Sequence, residues 1–198
     1  MRRILVTYAT NAGSTAEVAR AVGHGLGKDG AQVEVRPIEA VTAVTCYDAV
    51  VVGAPMIFGW HREARAFLKE HQDDLGRLPV AYFMVALSLT EHDEDTYAGA
   101  RIFQDGTLAK PPSNPARLSF RERFTSVANY VQPALESAPE ATPVSIGFFN
   151  GTMDYGSLNL FERIFVRVVF GAAEGDFRNW DAIEMWSEDV SAELIDGA

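Results

Sequence analysis

The chain has 198 residues, of which 47% are hydrophobic and 22% are charged, enough for one globular domain (1–198) with a sizeable core. Its formal net charge of −10 repels phosphate backbones, so nucleic acid is not expected as a partner. Cys46 is the only cysteine, which excludes a disulfide framework and a thiolate metal cluster and suits a reducing cytoplasm.

The first element is an apolar, β-branched run from Ile4 to Tyr8, which predicts a buried parallel strand. A short turn follows, and from Thr15 apolar residues recur at four-residue spacing, which predicts a helix. Unpaired backbone N–H groups and the helix dipole at such a helix N-terminus favour a phosphate. The candidate phosphate ligands are the turn residues Thr10, Asn11, Ala12, Gly13, Ser14 and Thr15.

The composition of this turn narrows the choice of phosphate ligand. No Lys or Arg occurs in residues 4–19, so the lysine of an NTP-binding P-loop is missing. Gly13 stands alone, so the three-glycine dinucleotide fingerprint is missing too; Gly23, Gly25 and Gly27 are interpreted as helix-ending glycines. The turn is therefore predicted to bind a terminal phosphomonoester through uncharged donors. The alternative is an ordinary strand–turn–helix with a Ser or Thr cap and no ligand.

Further strands are predicted at 31–38, 47–53, 80–87 and 144–149, with helical patterns between them. This order predicts an α/β fold with a single doubly wound, five-stranded parallel sheet of strand order 2-1-3-4-5. Ligands of such sheets bind beyond the carboxyl ends of the strands. Residues 104–117 are rich in Pro, Gly and polar residues and are interpreted as a long loop, either a lid or disordered.

Two further loops are predicted at the carboxyl edge of this sheet. The second loop consists of Ala54, Pro55, Met56, Ile57, Phe58, Gly59 and Trp60. One of its aromatic rings, Phe58 or Trp60, is predicted to stack on a flat ligand, and the alternative is that both pack within the protein. His61 is expected to begin the next helix rather than to transfer a proton. The third loop contributes Ser88 and Leu89.

The last third of the chain contains a helix start and an insertion. Ser119 and Glu122 have capping-box spacing, which predicts a helix beginning there. After the fifth strand, residues of about 150–177 form an insertion, and its apolar pattern at 158–170 predicts a helix too short to span a membrane. The final helix is predicted to begin near Asn179. No metal site is predicted.

The turn motif resembles a known cofactor signature. The pattern Tyr8-x-Thr10-x-x-Gly13-x-Thr15-x-x-x-Ala19-x-x-Val22 is similar to the flavodoxin signature for FMN binding. Residues 52–59, followed by a His-containing helix, resemble the second loop of the menaquinone-dependent protoporphyrinogen dehydrogenase family, and so does the insertion with its following Gly, Asp, Arg and Trp. Those proteins are flavodoxin-fold FMN enzymes of bacterial haem synthesis.

The resemblance implies FMN as the cofactor and a flavodoxin-like fold with an inserted helix after strand 5. It implies an FMN-dependent oxidoreductase that passes electrons between an organic substrate, planar and apolar, and a quinone or a redox protein. It also implies a cytoplasmic protein in peripheral contact with the inner face of the membrane. The alternative is a flavodoxin-type electron carrier without a substrate of its own. No residue is identified as a catalytic acid or base.

Overall fold

The computed structural model describes residues 1–11, 13–56, 59–153 and 174–196. The strands are β1 (Arg3–Tyr8), β2 (Gln32–Pro37), β3 (Ala49–Pro55), β4 (Val80–Ala86), β5 (Leu89–Thr90), β6 (Thr96–Tyr97), β7 (Ala100–Gln104), β8 (Ala109–Lys110), β9 (Pro143–Asn150), β10 (Thr152–Met153) and β11 (Gly175–Asp176). The helices are α1 (Ser14–Leu26), α2 (Arg62–Glu70), α3 (Gln72–Leu75), α4 (Phe120–Phe124), α5 (Val127–Ser137) and α6 (Trp180–Asp196).

A seven-stranded sheet of order β2-β1-β3-β4-β9-β7-β6 forms the centre of the fold. All neighbouring strands from β2 to β7 run parallel. Alternate side chains of β1 enter opposite core clusters, with Leu5 on one face and Ile4 and Val6 on the other. Helices α2 and α5 cover the first face, and α1 and α6 cover the second. Because both faces of the sheet are buried, the sequences of its central strands are continuous runs of apolar residues.

The predicted strand order is confirmed, because β1, β2, β3, β4 and β9 follow one another as 2-1-3-4-5. The predicted number of five strands is wrong. Strand β7 lies parallel beside β9, and β6 pairs antiparallel with β7 at the sheet edge. The apolar pattern of β7 is too short to predict a strand, since only Ala100 and Ile102 of its five residues are buried. Residues 104–117, predicted as a long loop, are not wholly loop, because Gln104 ends β7 and Ala109–Lys110 form β8, which pairs with β5.

Of the three glycines predicted to end α1, two have a different role. Gly27 is the C-cap of α1, but Gly23 and Gly25 lie inside the helix. A Cβ on Gly25 would lie 1.9 Å from Oγ of Ser187 in α6, and one on Gly23 would lie 2.5 Å from a methyl of Val35 in β2. These two positions therefore permit α1 to approach α6 and β2 closely.

The predicted capping box is confirmed at the start of α4. Oγ of Ser119 accepts from the backbone N–H of Glu122, and the Glu122 carboxylate accepts from the backbone N–H of Ser119. The helix at 158–170 and the residues on either side of it lie outside the described residues, so the inserted helix stays a prediction. The same holds for a single domain over 1–198 with an insertion at about 150–177.

Candidate functional site

The first loop joins β1 to α1 at the carboxyl edge of the sheet. Gly13 is its N-cap residue and has a φ of +90°, a conformation that favours glycine. Oγ1 of Thr10 accepts from the Gly13 N–H at 3.0 Å, and the Gly13 carbonyl accepts from the N–H groups of Ala16 and Glu17. Open space surrounds the position of a Gly13 Cβ, with nothing described within 4 Å. A ligand can therefore approach this backbone closely.

The start of α1 presents backbone donors to that space. Among the described residues, no side chain caps α1, so the N–H groups of Ser14 and Thr15 are available to a ligand. Thr15 is buried and Ser14 is half-buried, which shields a bound anion from water and strengthens its interaction with the helix dipole. Together with the Thr10 hydroxyl, these groups fit a phosphomonoester. Ala12 lies outside the described residues.

The second loop folds back on itself after β3. Met56 and Trp60 form an antiparallel bridge, Gly59 has a φ of +104°, and the Met56 N–H donates to the Val85 carbonyl at 2.8 Å. Ala54 and Met56 are buried in the core, and Pro55 is half-buried. Ile57 and Phe58 lie outside the described residues. This loop therefore begins beside the first one, with its backbone anchored to the end of β4.

Trp60 is buried rather than presented to solvent. Its side chain is 3% exposed, and its ring lies 5.5 Å from that of Tyr82 at an interplanar angle of 46°. No described residue pairs with its indole Nε1. This packing favours the alternative in which the aromatic residue anchors the loop within the protein. The predicted contact of Trp60 or Phe58 with a flat ligand stays a prediction.

His61 connects the first two loops. It is the N-cap of α2, as expected, and its Nδ1 accepts from the Glu63 N–H at 3.4 Å. Because Nδ1 accepts, Nε2 carries the proton and donates to Oδ1 of Asn11 at 2.8 Å. No local sequence pattern predicts this pairing of residues fifty positions apart. A cleft of about 340 Å³ lies beside the pair, lined by Asn11, Pro55, Gly59, Trp60, His61, Arg62 and Arg65.

The third predicted loop lies at the end of β4. The Ser88 carbonyl accepts from the Tyr130 hydroxyl at 3.0 Å. Leu89 is 1% exposed within the core and pairs with Ala109 through β5 and β8. The side chain of Leu89 is therefore not placed to meet a ligand, and the contacts predicted for both residues stay predictions.

The two ends of segment 154–173 are held together by a structure that we call the stem, residues 150–153 and 174–179. Strands β10 and β11 pair antiparallel, and the Phe177 N–H donates to the Gly151 carbonyl at 3.1 Å. Asp105, which is fully buried after β7, accepts from the Asn150 N–H at 3.4 Å and from the Asn179 side-chain amide at 3.0 Å. The stem is thus fixed at the carboxyl edge of the sheet.

Arg178 ties the stem to the first turn of α1. Its guanidinium makes two hydrogen bonds to the Asp176 carboxylate, at 2.8 and 2.6 Å, and a third to the Glu17 carboxylate at 2.7 Å. It also lies 4.5 Å above the ring of Trp180. The hydrogen bonds with Arg178 lower the pKa of Asp176 and raise that of Arg178. Neither Asp105 nor Arg178 is among the site residues predicted from the sequence.

Two negative findings apply to the described ranges, 1–11, 13–56, 59–153 and 174–196. Within them, no group of three or more His, Cys, Asp and Glu side chains is placed to hold a metal ion. No helix there is both long enough and apolar enough to cross a membrane.

The sequence matches a protein family model, and the fold is similar to those of solved flavodoxins. A family model described as a flavodoxin domain matches residues 5–179. A flavodoxin from the domain Archaea has a TM-score of 0.52 at 11% identity, over 98% of this chain and 99% of that one. The two-electron reduced flavodoxin of Megasphaera elsdenii has a TM-score of 0.51 at 13% identity, over 96% and 98%.

The flavodiiron protein of Giardia intestinalis has a TM-score of 0.52 at 12% identity, over 98% of this chain and 36% of that one. At these identities the structural likeness shows the fold alone. No curated protein matches the sequence significantly.

Proposed function

This chain belongs to the flavodoxin domain family and binds FMN, and we propose that it is an FMN-dependent oxidoreductase similar to protoporphyrinogen dehydrogenase. It would take electrons from an organic substrate, planar and apolar, and pass them to a quinone or a similar acceptor. The observation that carries the proposal is the stem, which holds both ends of segment 154–173 beside the start of α1. An insertion that begins and ends at this edge suits an enzyme that encloses a substrate better than a carrier.

FMN, when bound, supplies the reversible uptake and release of electrons, and the protein supplies binding and orientation. The N–H groups of Ser14 and Thr15 and the hydroxyl of Thr10 would hold the phosphate. The hydrogen bond between His61 and Asn11 would fix the second loop against the first. Both loops lie at the ends of buried parallel strands, so their positions follow from a rigid core.

The proposal is tested by replacing residues 158–170 with a short Gly/Ser linker. Because β10 and β11 already bring the ends together, the variant should fold and retain FMN. Its turnover of a porphyrinogen with a quinone acceptor should fall at least tenfold. Unchanged turnover with retained FMN would overturn the proposal. Absence of turnover in the wild-type protein, with FMN bound, would also overturn it.

The second candidate function is a flavodoxin-type electron carrier without a substrate of its own. The net charge of −10 favours this function, because an acidic surface suits docking on a basic redox partner. A carrier should exchange electrons with a partner reductase at a rate that falls steeply with ionic strength. The linker variant should then exchange electrons at least as fast as the wild-type protein, since a carrier does not need the insertion to enclose a substrate.

We also propose that the protein works in the cytoplasm and touches the inner membrane face, where quinones dissolve. The support is α4, whose Phe120 is 74% exposed and stacks on Phe124 with ring centroids 6.4 Å apart. The exposed side chains of Arg117, Arg121 and Arg123 flank Phe120 in a chain that is otherwise acidic. An aromatic residue among cations matches an anionic lipid surface.

The position of α4 relates this surface to the site. Thr90, which follows β4 and the third loop, donates its N–H to the Thr125 carbonyl at 2.9 Å and its hydroxyl to the Glu122 carbonyl at 2.8 Å. Helix α4 is therefore attached to the carboxyl edge of the sheet. A membrane that meets Phe120 would lie on the same side as the proposed flavin site.

Sedimentation with vesicles tests this contact. The wild-type protein should bind vesicles containing phosphatidylglycerol but not vesicles of phosphatidylcholine alone. Phe120→Ser should lower the partition coefficient by about tenfold. Met185→Ser is the matched control, because Met185 is 53% exposed but lies on the acidic helix α6, and it should change nothing. Equal effects of the two substitutions, or no binding by the wild-type protein, would contradict the membrane proposal.

A further inference from the structure

Glu17 presents an electrostatic problem for the phosphate site. It lies in the first turn of α1, four residues after Gly13, and its side chain is 55% exposed. A carboxylate in the first turn stabilises the helix dipole. The same carboxylate repels a dianionic phosphate held at the same helix end. Left unpaired, Glu17 would therefore weaken the binding of FMN relative to riboflavin, which has no phosphate.

Arg178 offsets this charge from a fixed position. Its side chain is only 9% exposed, and Asp176 and Trp180 hold the guanidinium from two further sides. A planar guanidinium that donates two hydrogen bonds to one carboxylate has little conformational freedom. Its Nη1, which does not bind Asp176, donates to the Glu17 carboxylate at 2.7 Å. The stem therefore holds the Arg178 guanidinium beside Glu17 before any ligand binds.

We propose that Arg178 is a positioning residue of the phosphate site, which lowers the repulsion between Glu17 and the FMN phosphate and thereby favours FMN over riboflavin. This inference rests on the placement of the FMN phosphate at the start of α1. It assigns a role to Arg178, which follows the predicted insertion and lies 161 residues after Glu17 in the sequence. The phosphate itself is still held by uncharged donors, and the arginine acts through Glu17.

The alternative is that the Arg178–Glu17 pair only fastens the stem to α1. The two roles differ in which ligand they affect. A fastening role would change FMN and riboflavin binding equally, because both flavins occupy the same loops. A role in neutralising charge would change FMN binding alone, would depend on Glu17, and would decrease at high salt.

The experiment measures dissociation constants of FMN and riboflavin for the apoprotein by flavin fluorescence. Arg178→Gln should weaken FMN about three- to tenfold, as expected for one unneutralised charge near a dianion, and riboflavin less than twofold. Glu17→Gln, an exposed substitution that should not disturb folding, should tighten FMN about twofold. The double variant should bind FMN within twofold of the wild-type protein.

Arg101→Gln is the matched control. Arg101 on β7 pairs with Glu193 at 2.8 Å and with Asp189 at 3.9 Å, so its loss also removes a cation that binds carboxylates. It should leave the affinity for both flavins unchanged. Rescue of Arg178→Gln by Glu17→Gln, seen for FMN alone, would support the proposal.

Equal weakening of both flavins by Arg178→Gln, or no rescue in the double variant, would overturn the proposal. If Arg178→Gln fails to fold, Glu17→Gln decides, because unchanged affinity for FMN would then overturn it. A wild-type protein that binds riboflavin as tightly as FMN would instead contradict the placement of the phosphate. That result is distinguishable, since it appears before any substitution is made.

Discussion

Replacement of Thr10 tests whether the first loop binds a phosphate. Its Oγ1 already accepts from the Gly13 N–H at 3.0 Å, so its hydroxyl proton is free to point at a ligand. Thr10→Val preserves the shape of the side chain but removes both the acceptor and the donor. Loss of one donor from a buried phosphate costs about 1–3 kcal/mol, which corresponds to an increase of about 5- to 150-fold in the dissociation constant of FMN.

The assay is a fluorescence titration of the apoprotein with FMN and with riboflavin. Riboflavin should lose little affinity in Thr10→Val, because it has no phosphate to receive the hydroxyl. Thr10→Ser keeps the hydroxyl and serves as the control, with an affinity for FMN close to that of the wild-type protein. Equal losses for the two flavins, or no loss for FMN, would refute the reasoning that places the phosphate at this loop.

Three stability predictions follow from contacts elsewhere in the fold, each checked by urea denaturation. Tyr82→Phe should leave the free energy of unfolding unchanged or raise it by up to about 1 kcal/mol, because no described residue pairs with this buried hydroxyl; a clear loss would reveal a partner. Gly25→Ala should destabilise by about 1–3 kcal/mol, since its Cβ would lie 1.9 Å from Oγ of Ser187, and adding Ser187→Gly should restore stability. Hydrogen bonds from Ser119 and neighbouring backbone lower the pKa of Glu122 from 4.5 to about 2. The free energy of unfolding should therefore exceed that of Glu122→Gln by its full amount above pH 4.5, and this excess should disappear as the pH falls to about 2. An excess that does not change with pH would contradict the prediction.

The elements that the sequence predicted well are those determined by local pattern. Strand β1 is apolar on both faces because both faces are covered, so its run of aliphatic residues predicts a buried parallel strand. Gly13 predicts a turn because glycine readily adopts the positive φ that the backbone has there. Ser119 and Glu122 predict a helix start because their pairing is local. Each signal lies within a few residues of the feature that it predicts.

The elements that the sequence did not reveal depend on distant partners. Strand β7 is stabilised by its ladder with β9, more than forty residues later in the chain, and its own short pattern does not specify that pairing. The interior position of Gly25 becomes clear only when α6 lies against α1. Trp60 is one of two loop aromatics predicted either to stack on a flat ligand or to pack within the protein, and its ring packs on Tyr82. Burial of a loop residue depends on the tertiary fold rather than on its neighbours in sequence.

The additions to the five-stranded core are attached through directional polar contacts rather than apolar packing alone. Asp105 directly follows β7 and accepts hydrogen bonds from Asn150, at the end of β9, and from Asn179, just before α6. Apolar surfaces tolerate small shifts in position, whereas a buried carboxylate that loses a donor is strongly destabilised. Three elements can therefore meet at Asp105 in only one arrangement. Since Arg178 follows directly from that junction, the same carboxylate determines where the guanidinium meets Glu17. If Arg178 has the proposed role, the edge strand β7, which a five-stranded sheet does not need, thus affects the charge around the first turn of α1.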